Sequence, residues 1–153
     1  MKTKLTLAII LTTAATTALA GPIEEQIRFR QSAYSFLGWN TGKIKKQVVD
    51  NPETFNKDYV SAAANAIAAV ANSGLGELYG TGTDQGTGWK TSRLKPEFFQ
   101  KKDEVTAIAN TFNVAANELA KVAATGEVNA IKAQFGKLGE TCKSCHDLIR
   151  IKE

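Results

Sequence analysis

From Pro22 onward the positions Ile23, Ile27, Arg30, Tyr34, Leu37, Thr41, Ile44 and Val48 recur every three or four residues. That period lines one face of a helix and predicts a long amphipathic helix, with Pro22 tolerated in its first turn and Asp50-Asn51-Pro52 as its stop. Phe29, Phe36 and Trp39 form a second stripe off that face, where large apolar groups suggest another buried surface. From about Lys57 to Asn72, Val60, Ala63, Ile67 and Val70 share one face while Ala62, Ala66 and Ala69 share another, the pattern of a helix buried on more than one side. Ser73 to Ser92 breaks all periodicity with Gly74, Gly76, Gly80, Gly82, Gly86 and Gly88, and reads as one long loop. Leu75, Leu78, Tyr79 and Trp89 imply that this loop packs on something. A third helical region starts at Pro96 and carries Val105, Ile108, Phe112, Ala115, Leu119 and Val122 to a glycine stop at Gly126. The last helix, from about Glu127, turns Val128, Ile131, Phe135, Leu138, Cys142, Cys145 and Ile149 inward, and Gly136 and Gly139 leave room for a close neighbour. The fold expected is all-α, an antiparallel four-helix bundle with one long loop between helices two and three.

The first residues change how much of the chain belongs to that bundle. Lys2 and Lys4, an apolar run from Leu5 to Leu11, and the small-residue ending Ala18-Leu19-Ala20 have the form of a secretory signal peptide. The expected division is therefore residues 1–20 as signal and 21–153 as one domain, located in the periplasm. Loss of the two lysines takes the formal charge from +4 to +2, which offers no electrostatic case for nucleic acid or an anionic membrane as partner.

The chemistry is concentrated near the other end, in Cys142-Lys143-Ser144-Cys145-His146. A C-x-x-C-H run is the attachment sequence of c-type haem. On a helix the two sulfurs and the imidazole lie three and four residues apart and project from one face. Each thiol can add to a porphyrin vinyl group, and His146 can reach the iron as proximal ligand. A bare C-x-x-C is also compatible with a redox dithiol, a disulfide or half of a zinc site. The redox dithiol belongs on a βαβ pattern, which this chain lacks, and zinc needs four ligands. One haem c per chain, covalently held, is the expectation.

Equally informative is what the chain does not hold. It has one histidine, His146, and one methionine, Met1, inside the signal stretch. Electron-transfer cytochromes usually supply a second strong axial ligand, Met or His. Only a lysine, a tyrosine or water could fill that position here, so five-coordinate iron open to small diatomic gases is expected. Peroxidase or oxygen chemistry wants a distal base, and Arg30 is the only obvious polar substitute on that side of helix one. An enzyme therefore ranks below a binding protein.

These residues resemble the cytochromes c′ of proteobacteria over the whole mature chain. The resemblance rests on Arg30-Gln31-Ser32-Ala33-Tyr34, Gly38-Trp39-Asn40, Leu78 to Asp84, Lys95-Pro96-Glu97-Phe98-Phe99, Val122 to Glu127 and the C-x-x-C-H run. It implies a usually dimeric bundle with haem near one end and pentacoordinate iron that binds nitric oxide and carbon monoxide. Carried over by position, Cys142 and Cys145 hold the porphyrin, His146 ligates iron, Arg30 and Gln31 contact the propionates, and Tyr34 lies over the distal face. Arg150 matches a basic residue beside the proximal face; by spacing alone it is equally a solvated charge. Tyr79 and Trp89 join the candidate cofactor contacts from the loop. Similar relatives often carry methionines in helix one and near Gly76, where this chain reads Tyr34-Ser35-Phe36-Leu37 and Leu75. The expected function is reversible capture of nitric oxide or carbon monoxide, in protection or buffering, with a one-electron carrier meeting a periplasmic redox partner as the alternative. The first two helices are the expected homodimer contact.

Overall fold

The computed structural model describes residues 22–152. The proposed signal stretch lies outside them. Four helices follow in order: α1, Ile23–Lys45; α2, Lys57–Ala71; α3, Lys102–Ala123; and α4, Val128–Ile149. Each packs on the next, and the turn that ends α1 touches α4, which closes the bundle. No helix among the described residues is long and apolar enough to cross a membrane.

Local chemistry accounts for most of the boundaries. Glu24 and Glu25 in the first turn of α1 and Lys43 and Lys45 in its last complement the helix dipole. Beyond Lys45 the helix widens into a π turn, Lys46–Asp50, closed by Asn51 N–H donating to Lys46 C=O at 2.9 Å and spanned by the Lys45–Asp50 ion pair at 2.6 Å. The Asn56 side chain caps α2 by accepting from Tyr59 N–H at 2.9 Å. Gly126 takes a φ of +83°, the left-handed conformation that lets the chain reverse between α3 and α4. The region from Pro96 splits into a 3-10 turn, Pro96–Gln100, and α3 proper, where one continuous helical region was expected.

The main core is built from Ile44, Val48, Val60, Ile67, Leu119, Ile131 and Leu138, each at most 1% exposed. Each such aliphatic side chain contributes roughly 1.5–3 kcal/mol by burial. Ala63, Ala64, Ala116 and Ala123 are fully buried between α2 and its neighbours, and their small size lets the helices approach closely. Two expectations need correction. On α1, Ile23 and Tyr34 are 39% and 40% exposed, while Gln26 and Asn40 are buried in their place. On α2 the second buried face is Ala64, Ala68 and Ala71; Ala62 and Ala69 are exposed. The second stripe, Phe29, Phe36 and Trp39, lies off the core face as expected and is left uncovered within the chain, at 60%, 46% and 60% exposed. The period located a face to within a residue or so, but packing against α2 and the loop chose which side chains turned inward.

A smaller apolar cluster, Leu94, Phe98 and Ile149, sits at the end of α4 with Tyr79, Phe99, Val105, Cys145 and Leu148 against it. The segment after the loop is pinned there by an isolated antiparallel bridge between Leu94 and Arg150, with Lys95 N–H donating to Ile149 C=O at 2.8 Å.

Candidate haem-attachment site

On α4, Cys142 and Cys145 are half-buried free thiols one turn apart, and His146 is exposed beside them. Burial pushes both thiols above the usual cysteine value, with Cys142 adding to the effect on Cys145. A redox dithiol depends on the opposite shift, toward the thiolate. Among the described residues no three or more His, Cys, Asp or Glu side chains gather as a metal cluster, so a zinc site made of protein ligands alone has no donor set.

Around the cysteines the bundle assembles phenols, one guanidinium and apolar rings. The Tyr79 hydroxyl donates to the Tyr34 hydroxyl at 2.9 Å. The Tyr79 ring stacks on Phe98 with centroids 4.8 Å apart, and the Arg30 guanidinium lies 4.6 Å from the Tyr79 centroid. Tyr34 lies close enough to Cys145 and Cys142 to feel their charge state. Desolvation raises both phenols, Tyr79 well above the ordinary tyrosine value, so both stay protonated around neutral pH.

Arg30 is 6% exposed and faces only neutral oxygens at hydrogen-bond distance. Its Nη1 donates to Leu78 C=O at 3.1 Å and Thr83 Oγ1 at 3.0 Å, and its Nη2 to Thr83 C=O at 2.8 Å and Ser92 Oγ at 3.1 Å. Burial lowers its pKa from the usual arginine value, partly offset by Tyr79, Tyr34 and Asp84. Gln31 is also committed to the loop: its Oε1 accepts from Trp89 and Lys90 N–H at 2.7 and 3.1 Å, and its Nε2 donates to Lys90 C=O at 2.7 Å. Gln26 Oε1 accepts from Gly80 N–H at 3.0 Å. Gln26, Arg30 and Gln31, together with Ser32 and Tyr34, thus tie the glycine-rich loop to α1. Gly88 is needed for that docking, because a Cβ there would come within 2.7 Å of the Arg28 backbone nitrogen.

Arg30, Tyr34, Tyr79, Cys142 and Cys145 therefore come together at one end of the bundle. Trp89 does not join them: it is 67% exposed, with Nε1 donating to Ser32 Oγ at 2.8 Å and Arg28 over its ring. Arg150 is half-buried just past α4, where its N–H donates to His146 C=O at 3.0 Å. Sequence reading passed over Phe98, Thr83 and Ser92 as site components. Phe98 carried a signal, in the Phe98-Phe99 pair after Pro96, while the two hydroxyl residues carried none.

The donor set fits haem c. Two thiols and an imidazole occupy one side of a single helix, and an aromatic wall stands beside the thiols. The family model described as cytochrome C′ matches residues 25–150. The chain belongs to the cytochrome c′ family. Cytochrome c′ of Allochromatium vinosum is 54% identical over 129 residues, 84% of this chain and 82% of the relative. A solved cytochrome c′ described by its ligand-controlled dimer dissociation superposes with a TM-score of 0.81 at 53% identity, covering 86% of this chain and 98% of its own. A variant of the Alcaligenes xylosoxidans cytochrome c′, solved as its nitric oxide complex, shares the fold at 22% identity with a TM-score of 0.75, over 87% of this chain and 98% of its own.

Proposed function

We propose that this cytochrome c′ carries one haem c on Cys142 and Cys145 with His146 as iron ligand, and reversibly captures nitric oxide or carbon monoxide. Haem, when bound, supplies an iron centre that can take a diatomic gas and exchange one electron. The observation that carries this reading is the chemistry gathered with the cysteines. It consists of apolar rings, a guanidinium and two phenols held protonated by burial, while the sequence offers no second histidine and no methionine beyond Met1. Burial disfavours the phenolate form that would bind iron, which weakens Tyr34 and Tyr79 as competitors of a gas. Tyr34, whose hydroxyl meets Tyr79 in the cluster around Cys145, is the side chain that gates access. Arg30 and Gln31 hold the loop that completes this end, and Arg30, the one charged member of the pair, places a guanidinium beside Tyr79 as the electrostatic counterpart of the haem propionates.

The physiological setting follows from the leader. Lys2, Lys4 and Ala18-Leu19-Ala20 direct export, and the periplasm is where nitric oxide protection or buffering would operate. The exposed Phe36 and Trp39, with Tyr59 of α2, form the homodimer contact. Lys43 sits over the Trp39 and Tyr59 rings at 3.9 and 4.8 Å, and the relative named for dimer dissociation supports an assembly of this kind.

Optical and electron-paramagnetic-resonance spectra of the purified ferric and ferrous protein, before and after carbon monoxide, test this directly. High-spin signals and a large spectral change with gas are expected. A low-spin spectrum indifferent to carbon monoxide would overturn the reading and move the protein to one-electron transfer.

A further inference from the structure

Tyr34 and Tyr79 differ sharply in how firmly the fold holds them. Tyr79 follows the 3-10 turn Leu75–Leu78, and its ring is fixed by stacking on Phe98, which is itself packed edge-on by Phe99 at 5.2 Å. The guanidinium over that ring is in turn immobilised by four hydrogen bonds to the loop and Ser92. Tyr34, by contrast, is 40% exposed on the side of α1, and its hydroxyl is held in the structure by Tyr79. A side chain that gates a site has to be able to swing, and the rotamer it leaves must be favoured by something that does not swing with it.

We propose that Tyr79 is the positioning residue for this gate, a fixed hydrogen-bond donor that latches the Tyr34 hydroxyl and so sets how often the face beside the cysteines opens. This rests on the reading of Tyr34 as the gating side chain. The donor comes from the glycine-rich loop, 45 residues further along the chain, which gives that loop a function. A single hydrogen bond between neutral groups shifts a two-state equilibrium by about 2- to 10-fold, large enough to see in association kinetics and small enough that the gate still opens thermally.

The test is carbon monoxide association to the ferrous haem-loaded protein, by flash photolysis or stopped flow, for wild type, Tyr79→Phe, Tyr34→Phe, the variant carrying both changes, and Tyr34→Ala. Tyr79→Phe keeps the stacked ring, and a far-ultraviolet melt confirms that it folds. Association about 2- to 10-fold faster in Tyr79→Phe and in Tyr34→Phe is expected, with the double variant no faster than either, because both single changes break the same bond. Acceleration by Tyr79→Phe that persists undiminished when Tyr34→Phe is already in place would show that Tyr79 acts independently of Tyr34, and would overturn the proposal. Wild-type rates in Tyr79→Phe with faster rates in Tyr34→Ala would remove the latch and leave the gate standing. Wild-type rates in Tyr34→Ala would remove both.

Discussion

At the scale of single residues, Arg30 shows how a buried charge can be tolerated with no carboxylate at hydrogen-bond distance. Its two terminal nitrogens reach four oxygens, and the planar fork suits that spread in a way a lysine ammonium does not. Thr83 C=O and Ser92 Oγ are also bonded to each other at 2.7 Å, so truncation would leave chiefly the buried Thr83 Oγ1 and Leu78 C=O without a partner. Arg30→Ala is expected to cost about 2–3 kcal/mol in urea unfolding, and Arg30→Lys to recover less than half of that. The two phenols make a pH prediction. Their folded-state pKa values lie above the unfolded value, so above about pH 10 the unfolded chain releases protons that the native state retains. Stability is therefore complete below that pH and falls as pH rises through the window above it. Urea midpoints across that range should drop more steeply for wild type than for the Tyr34→Phe, Tyr79→Phe double variant.

At the scale of elements, the loop from Ser73 to Ser92 behaves as a strap on α1. Its three positive-φ glycines, Gly74, Gly82 and Gly86, bend the chain where a side chain would be strained. Gly88 serves close approach instead: a methyl group there would meet the Arg28 backbone at 2.7 and 2.9 Å and Gln31 Oε1 at 2.9 Å. The backbone of a packed helix cannot give way, so Gly88→Ala should lift this part of the loop. A loss of about 1–3 kcal/mol is expected, together with faster hydrogen exchange at Trp89 and Lys90, whose N–H groups bond Gln31. Because Tyr79 belongs to the same strap, the variant should also quicken carbon monoxide association.

At the scale of the whole molecule, the bundle has one end built for chemistry and one flank left apolar. The flank is formed by Phe36 and Trp39, on the same helix as Tyr34, with Tyr59 of α2. A second copy covering that flank would bury aromatic anchors of the kind that dominate interfaces. Trp39→Glu is expected to weaken self-association at least about 30-fold, the effect of losing one such anchor, measured by sedimentation of the haem-loaded protein. The absorption spectrum should be unchanged, since Trp39 is outside the cluster around the cysteines.

The sequence by itself determined what depends on near neighbours in the chain. The 3.6-residue period placed four helices, the glycine run placed the loop, and C-x-x-C-H put two thiols and an imidazole on one side of a helix, because covalent spacing and helix pitch are local. The lone histidine likewise needed only counting. The tertiary structure alone decided the rest. Arg30 was legible as a polar group on the site side of helix one and Gln31 was named through the family resemblance, but their partners lie about 50 to 60 residues away in the loop. Tyr34 meets Tyr79 across a similar gap. Gln26 and Asn40 sank inward and Phe29 and Trp39 stayed out because the partners of a helix face are chosen by how helices and loop dock. Such contacts join residues distant in sequence, and no periodicity along one stretch of chain can encode them.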